Sequence, residues 1–263
     1  MREYRPADAP ANDAPAVVYL HGGGWVVGDV DTYDELCIRI ANASGGVVYS
    51  VDYRRAPECP YPAAADDAEA VVRWLAGNQS AAGVDPNRIV VAGDSAGGNL
   101  AAVVALRLRD QPLPDGVRLA GHLLFYPCID ASLSTESVEH YADGYFLTRA
   151  GMEWYWNHYC PDPATRMSPD ASPINAVSLA GLPRLAVVVA SHDPLRDEGF
   201  QYAERARDEG VDTVFREAVG QLHGFIRWTA IVDEATDTIE WVGELFRSWW
   251  GAVDSDGQNR AGE

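Results

Sequence analysis

Short runs of apolar, often β-branched residues recur along the chain and alternate with longer stretches whose apolar residues follow helical spacing. Such short runs, bounded by glycine, proline or charge, are typical of buried strands. The pattern predicts strands at residues 16–20, 46–53, 88–93, 119–126, 184–191 and 213–219. The last of these runs mixes polar and apolar positions, which predicts a place nearer an edge of the sheet.

Amphipathic helices are predicted between and after these strands. Their segments are residues 64–77, 98–110 and 198–210, and residues 233–250, which begin with acidic residues as the helix dipole favours. Strands that alternate with helices build a parallel sheet covered on both faces. The predicted fold class is therefore α/β, with a mostly parallel sheet flanked by helices in a single domain over residues 1–263.

Two segments depart from this alternation. Residues 127–183 contain no strand-like run but are rich in aromatic residues and in loops punctuated by proline. An insertion of this length between two strands is usually functional, so it is predicted to form a partial lid or a pocket wall. Residues 254–263 are polar and are predicted to be a disordered tail.

Composition and charge narrow the classes of partner. No apolar run approaches the roughly 20 residues that a membrane-spanning helix needs, and the first residues show no apolar leader. The formal net charge of −19 opposes binding to nucleic acid or to an anionic membrane. We therefore expect a cytoplasmic protein that acts on a small molecule, with a homodimer left open.

The cysteines give no sign of a metal or redox site. Cys37, Cys59, Cys128 and Cys160 are widely separated and form no closely spaced pair, whereas metal ligands usually come in such pairs. We expect reduced, mostly buried thiols, and neither a metal nor an organic cofactor.

Residues 93–97 read Gly-Asp-Ser-Ala-Gly at the junction between a predicted strand and a predicted helix. This pattern can hold its serine, Ser95, in a strained and exposed turn as a nucleophile. Glycines that only allow a strand and a helix to pack closely would give the same pattern. Alone, the motif leaves both interpretations open.

Residues 21–25 read His-Gly-Gly-Gly-Trp and follow the first predicted strand directly. Three consecutive glycines lose side-chain packing and cost chain entropy, so packing does not explain them. They do allow backbone N–H groups to be aimed at one point, as stabilisation of an oxyanion requires. A flexible loop is the alternative interpretation.

An acidic residue and a histidine follow two later strands. Asp193 lies just beyond the strand at 184–191, and His223 lies in a glycine-flanked loop beyond the strand at 213–219. With Ser95 they follow the carboxyl ends of parallel strands, where such folds collect their active sites. The order Ser, Asp, His predicts a nucleophile, an acid and a base.

The combined motifs make the chain similar to the hormone-sensitive-lipase-like family of α/β-hydrolases, in its bacterial esterase branch. HGGGW, DYRRAPE, YPAAADD, GDSAGGN, DPLRDEG and HGF occur in that family's order, from about residue 19 to the final helix. The resemblance implies a catalytic triad of Ser95, Asp193 and His223. It also implies an oxyanion hole formed by the backbone N–H groups of Gly23, Gly24 and Ala96, with Gly22 as a further candidate.

The resemblance implies hydrolysis of carboxylic esters through an acyl-enzyme. An arylamide amidase or deacetylase with the same machinery, and a catalytically silent ligand-binding protein on the same fold, are the alternatives. Family members usually carry an N-terminal cap before the glycine loop, which begins here at His21. We therefore expect a reduced or absent N-terminal cap and carry over no substrate contacts from it. An open site gains little from each added methylene, so we expect a preference for acyl chains of roughly two to six carbons.

Further residues are expected around the site. Substrate contacts are predicted for Trp25, Tyr126 and Phe225. Other aromatic residues that could line a pocket are Tyr145, Phe146, Trp154 and Trp156. Asp197 and Glu198 are expected to cap the helix that follows them.

The histidines other than His223 are predicted to lie outside the triad. His21 is expected to support the glycine loop, and His122 is expected to lie in the core. His192 is expected to lie outside the triad, because neighbouring side chains at a strand end point apart. His140 and His158, in the insertion, are candidates for substrate contact.

Overall fold

A seven-stranded sheet forms the centre of the computed structural model, which describes residues 1–260 and their side chains as far as residue 253. The strand order is β1-β3-β2-β4-β5-β6-β7, and every neighbouring pair is parallel except β1 and β3. The strands are β1 (Arg2–Tyr4), β2 (Ala14–Leu20), β3 (Val47–Val51), β4 (Val84–Asp94), β5 (Gly121–Phe125), β6 (Leu185–His192) and β7 (Thr213–Leu222). The predicted α/β fold is confirmed.

All six predicted strands are present, and β7 occupies an edge of the sheet, as its mixed pattern predicted. β1 was not predicted, because its three residues lie in a polar, proline-rich segment without an apolar run. It pairs antiparallel with β3 at the other edge of the sheet. A short edge strand needs only backbone pairing there, so its sequence carries little signal.

Helices cover both faces of the sheet. They are α1 (Asp34–Ser44), α2 (Ala63–Gly77), α3 (Gln79–Ala82), α4 (Ala96–Asp110), α5 (Glu136–His140), α6 (Arg149–Tyr159), α7 (Pro163–Arg166), α8 (Arg196–Asp208) and α9 (Asp233–Arg260). The predicted disordered tail, 254–263, begins inside α9 and ends in residues 261–263, which lie outside the described residues, so its extent stays a prediction. None of the helices described is long and apolar enough to cross a membrane.

The core consists of two apolar layers, one on each face of the sheet. Consecutive residues of β4 show the division: Val91 packs in the layer that contains α2, α4 and α8, whereas Val90 packs in the layer that contains α1 and α9. Side chains alternate between the faces of a strand. A strand buried on both faces is therefore apolar at nearly every position, which is why these strands were readable as continuous runs.

Candidate active site

The turn between β4 and α4 presents Ser95 with a φ of 56°, a backbone conformation that non-glycine residues rarely adopt. The turn is held tightly against β2. A Cβ atom on Gly97 would lie 1.9 Å from the carbonyl oxygen of Leu20. Both interpretations of the motif therefore hold: the glycines permit close packing, and that packing fixes the serine at the end of the strand.

Three side chains from three strand ends form a hydrogen-bonded series. The Oγ atom of Ser95 lies 2.9 Å from Nε2 of His223, and Nδ1 of the same ring lies 2.7 Å from Oδ2 of Asp193. Asp193 is fully buried, and its Oδ1 atom accepts the backbone N–H of Leu195 at 2.9 Å. A carboxylate only accepts, so Nδ1 carries the ring hydrogen and Nε2 is left to accept the serine proton.

The glycine loop, which follows β2, places two backbone amides beside the same site. The carbonyl oxygen of Gly22 contacts Nδ1 of His21 at 2.7 Å, and that of Gly23 accepts the amides of Val26 and Val27. In a trans peptide the N–H lies opposite the carbonyl. The amides of Gly23 and Gly24 therefore point away from these carbonyl contacts, and both glycines line the cavity beside Ser95.

Ala96 supplies a third amide. It is the first residue of α4, and the first amides of a helix have no partner within it. Among residues 1–260, the structure gives no protein acceptor to this N–H group. It borders the same cavity as Ser95, so an oxyanion formed beside the serine could accept it.

Gly22, the further candidate for the oxyanion hole, does not contribute to it. Its N–H group donates to Oδ1 of Asp94 at 2.9 Å and to the hydroxyl of Tyr33 at 3.0 Å, so it is not available to a substrate. Asp94 also accepts hydrogen bonds from the hydroxyls of Tyr19 and Tyr33. Burial raises the pKa of this carboxyl, against the influence of its donors. Gly22 thus ties the glycine loop to the serine turn.

This geometry agrees with the family that the sequence matches. The sequence profile of the alpha/beta hydrolase fold family matches residues 17–227, which include the glycine loop, the serine, the aspartate and the histidine. The chain belongs to the α/β-hydrolase family.

Within that family the chain is similar to esterases along most of its length. It is 39% identical to an ethyl acetate hydrolase of Pseudomonas putida over 249 residues, covering 94% of this chain and 77% of the relative. It is 41% identical to the carboxylesterase NlhH of Mycobacterium tuberculosis over 241 residues, covering 90% and 74%.

A solved structure gives the same result. The hyperthermophilic esterase of the archaeon Pyrobaculum calidifontis superposes with a TM-score of 0.88 at 42% identity, covering 95% of this chain and 79% of that one. These relatives confirm the resemblance to the hormone-sensitive-lipase-like esterases. The chain is an enzyme that hydrolyses carboxylic esters.

A cavity of about 240 Å³ opens above Ser95 and is mostly apolar. Its floor is formed by the glycine loop, Ser95 and His223. One wall is formed by α6, which presents Met152, Tyr155 and Trp156 to it. These three residues follow the spacing of one helical face. The predicted insertion at 127–183 thus supplies a wall of the cavity.

The predicted substrate contacts divide into two groups. Trp25 lines the cavity. Tyr126 and Phe225 do not: both are fully buried, the Tyr126 ring packs 4.7 Å from the His223 ring, and Phe225 packs against Tyr126 at 5.8 Å. The prediction was wrong for these two residues because Tyr126 packs against the imidazole from the core and Phe225 packs against Tyr126.

The other aromatic candidates divide in the same way. Phe146 and Trp156 line the cavity, whereas Tyr145 stacks on His192 and Trp154 packs against His158. A helix exposes neighbouring residues on different faces. For this reason, Tyr155 and Trp156 line the cavity while Trp154 is exposed to solvent.

The remaining histidines lie outside the hydrogen-bonded series. His21 stacks on Tyr53 beneath the glycine loop, and His122 is fully buried in β5, where burial lowers its pKa to about 4. None of His140, His158 and His192 lines the cavity.

Tyr33, Arg227 and Trp228 are among the cavity-lining residues that the motifs did not predict. Tyr33 immediately precedes α1, a helix that the pattern did not predict. Arg227 and Trp228 follow His223 closely along the chain. Proximity to the predicted base was the one signal that could have pointed to these two.

Glu198 does more than begin a helix. It is fully buried, and its Oε1 atom accepts the backbone amide of Ile129 at 2.6 Å and that of Asp130 at 3.3 Å. Its other oxygen is buried with no hydrogen-bond partner among the described residues. Burial raises the pKa of this carboxyl well above its usual range. The expected capping role is therefore incomplete, because Glu198 also fastens the loop after β5.

We predict that Glu198→Gln gains stability relative to the wild type as the pH rises. A carboxyl whose pKa is raised by folding contributes stability below its unfolded pKa, and this contribution is lost as the pH rises through the folded pKa. Glutamine keeps an accepting oxygen and does not ionise. The difference in melting temperature, variant minus wild type, should therefore increase by a few degrees between about pH 5 and pH 9.

The measurement is thermal unfolding of both proteins across that range. Glu204→Gln is the matched control, because Glu204 is an exposed residue of the same helix, and its difference should vary little with pH. A Glu198→Gln difference that is constant with pH would contradict the prediction.

Proposed function

We propose that this enzyme hydrolyses short-chain carboxylic esters through a covalent acyl-enzyme on Ser95. The observation that carries the proposal is the hydrogen-bonded series from Ser95 through His223 to the buried Asp193, at the floor of a cavity that Gly23, Gly24 and Ala96 also line. A nucleophile, a base and donors for the developing charge are thus within reach of one carbonyl group.

Acylation begins when the Oγ atom of Ser95 attacks the ester carbonyl carbon and Nε2 of His223 takes the serine proton. Asp193 holds the Nδ1 hydrogen and stabilises the imidazolium that forms. Negative charge develops on the former carbonyl oxygen. The amides of Gly23, Gly24 and Ala96 stabilise that charge more strongly in the transition state than in the ground state.

The tetrahedral intermediate collapses as the imidazolium donates its proton to the leaving alcohol oxygen and the ester C–O bond breaks. Water then enters, and His223 takes one of its protons while the water oxygen attacks the acyl carbon. The second collapse returns the proton to Ser95 and releases the carboxylic acid. His223 therefore serves as base and acid in turn.

The size of the cavity supports short acyl groups. Its volume of about 240 Å³ is below the range of roughly 300–1,000 Å³ for sites that hold drug-sized ligands. The wall presented by α6 closes one side with Tyr155 and Trp156. A long acyl chain would leave most of its methylenes in water, and each would forgo about 0.8 kcal/mol of burial. In this proposal, the insertion at residues 127–183 forms one wall of the cavity and partly covers it as a lid.

We expect kcat/KM for p-nitrophenyl esters to be highest between acetate and hexanoate and at least tenfold lower for palmitate. Met152→Ala removes side-chain volume from the α6 wall and should move the preferred length towards longer chains. Met167→Ala, at an exposed methionine outside the cavity, is the control. A steady rise in kcat/KM towards palmitate would overturn the expectation and indicate a lipase.

A fluorophosphonate probe tests the proposal against a catalytically silent binding protein. The wild type should gain one phosphonyl group, located on Ser95 by peptide mass mapping, while a silent protein would remain unlabelled. An amidase is distinguished by comparing p-nitrophenyl acetate with p-nitroacetanilide, since both acetylate the same serine. The cytoplasmic location and the homodimer stay predictions.

A further inference from the structure

Arg227 is the one basic side chain that lines the cavity among the described residues. It ends the short 3₁₀-helix Phe225–Arg227, which is separated from His223 only by Gly224. The catalytic imidazole and this guanidinium are therefore held by one compact segment. The formal net charge of the molecule is −19, so a positive charge beside the cavity is opposite in sign to the molecule as a whole.

The guanidinium is held in place without using up its hydrogen-bonding capacity. Its central carbon lies 4.3 Å from the centre of the Tyr33 ring, and one nitrogen donates to the backbone carbonyl of Thr32 at 3.2 Å. A guanidinium has five N–H donors. The described residues offer no further acceptor, so the remaining donors are available to a ligand.

Arg227 forms no ion pair with any carboxylate in the part of the chain that the structure describes, although many other arginines do. The nearest acidic group in the site, Asp94, is buried and already accepts hydrogen bonds from Tyr19, Tyr33 and Gly22. The charge on Arg227 therefore lies beside the cavity without an ion-pair partner, and it interacts with the buried Asp94 only at a distance.

We propose that Arg227 determines specificity by binding a carboxylate on the substrate, so that the preferred substrates are short esters that carry one. The inference rests on the proposed ester hydrolysis and names the substrate class of that site. A guanidinium recognises a carboxylate through paired, charge-assisted hydrogen bonds. Because the cavity is small, a carboxylate a few bonds from the reacting carbonyl lies within its reach.

The overall charge of the chain makes this local cation more important. An acidic surface repels anions at long range, although salt reduces this repulsion beyond about 8–10 Å. Binding of an anionic ester therefore depends on a cation inside that distance. Arg227 provides one, and its stacking on Tyr33 lowers the entropy lost when it binds.

The test compares esters matched in size. Monoethyl succinate and ethyl levulinate differ by a carboxylate in place of a methyl ketone on the acyl side. Acetoxyacetate and acetoxyacetone differ in the same way on the alcohol side. For each pair, kcat/KM is measured by titration of the released acid, and the anionic-to-neutral ratio is calculated for each variant.

We expect Arg227→Gln to lower this ratio about tenfold in at least one pair, mainly through KM, as the loss of a charge-assisted contact predicts. Arg227→Lys should restore part of it. Arg39→Gln removes the same charge from an exposed residue of α1, and its ratio should equal that of the wild type.

Two outcomes would overturn the inference: an unchanged ratio in Arg227→Gln for both pairs, or an equal loss on anionic and neutral esters. The second would instead identify Arg227 as a group that offsets the charge of Asp94. Failure of the proposed function is recognised separately, because the wild type would then hydrolyse neither member of either pair.

Discussion

Ser95→Ala is expected to lower kcat for p-nitrophenyl acetate by about 10⁴ to 10⁶, because no other described nucleophile is hydrogen-bonded to His223. The fold should persist. Alanine keeps the Cβ atom, so the strained backbone at φ 56° bears no new clash, and the lost hydroxyl leaves the packing of the turn unchanged. Residual activity would come from the amides of the oxyanion hole and from binding.

The measurement combines initial rates with thermal unfolding of the same preparation. Ser248→Ala, at an exposed serine of α9, is the control and should retain wild-type activity. If Ser95→Ala kept a tenth of the wild-type rate, another nucleophile would have to be sought.

The positions of the three proposed triad residues along the sheet followed from the sequence. Ser95, Asp193 and His223 each come just after an apolar run, and the carboxyl ends of parallel strands meet at one edge of the sheet. Given the parallel fold, their proximity was a topological consequence. The structure adds the hydrogen-bond distances, 2.9 Å between Ser95 Oγ and His223 Nε2 and 2.7 Å between His223 Nδ1 and Asp193 Oδ2.

The orientations of the peptide planes and side chains could not be predicted from the sequence in the same way. Gly22, Gly23 and Gly24 are the same residue type, yet the amide of Gly22 donates to Asp94, whereas Gly23 and Gly24 line the cavity and their amides have no such partner among the described residues. Tyr126 ends a predicted strand and Phe225 lies two residues after His223, but both are core residues: Tyr126 packs against the His223 ring and Phe225 against Tyr126. Such choices depend on tertiary neighbours, which a local pattern does not contain.

The walls of the cavity show a further limit. Trp156 and Met152 were part of an aromatic-rich insertion whose function was predicted, but its seating on the serine side depends on long-range packing such as that between Trp156 and Trp25. Arg227 was unremarkable among twenty basic residues. Only its place against Tyr33, without a carboxylate beside it, distinguishes it.

Asp193→Asn should lower kcat by about 10⁴ at neutral pH with little loss of stability, because it reverses the tautomer of His223. One oxygen of Asp193 accepts the amide of Leu195, and the other accepts Nδ1–H of His223. Asparagine has a single accepting oxygen. If that oxygen stays on the Leu195 amide, the NH₂ group faces Nδ1, which must then give up its hydrogen. The hydrogen moves to Nε2, which can no longer take the proton of Ser95.

Rates with p-nitrophenyl acetate and the rate of fluorophosphonate labelling should fall together in Asp193→Asn, because both require an activated serine. Asp212→Asn, at an exposed aspartate paired with Arg184, removes the same charge far from the imidazole and should change neither rate. A loss below tenfold would mean that the Nδ1 hydrogen is held without Asp193. A large loss in kcat with normal labelling would assign Asp193 to deacylation alone. We expect parallel losses in both rates, because one oxygen of Asp193 accepts the Leu195 amide and the other accepts Nδ1–H of His223.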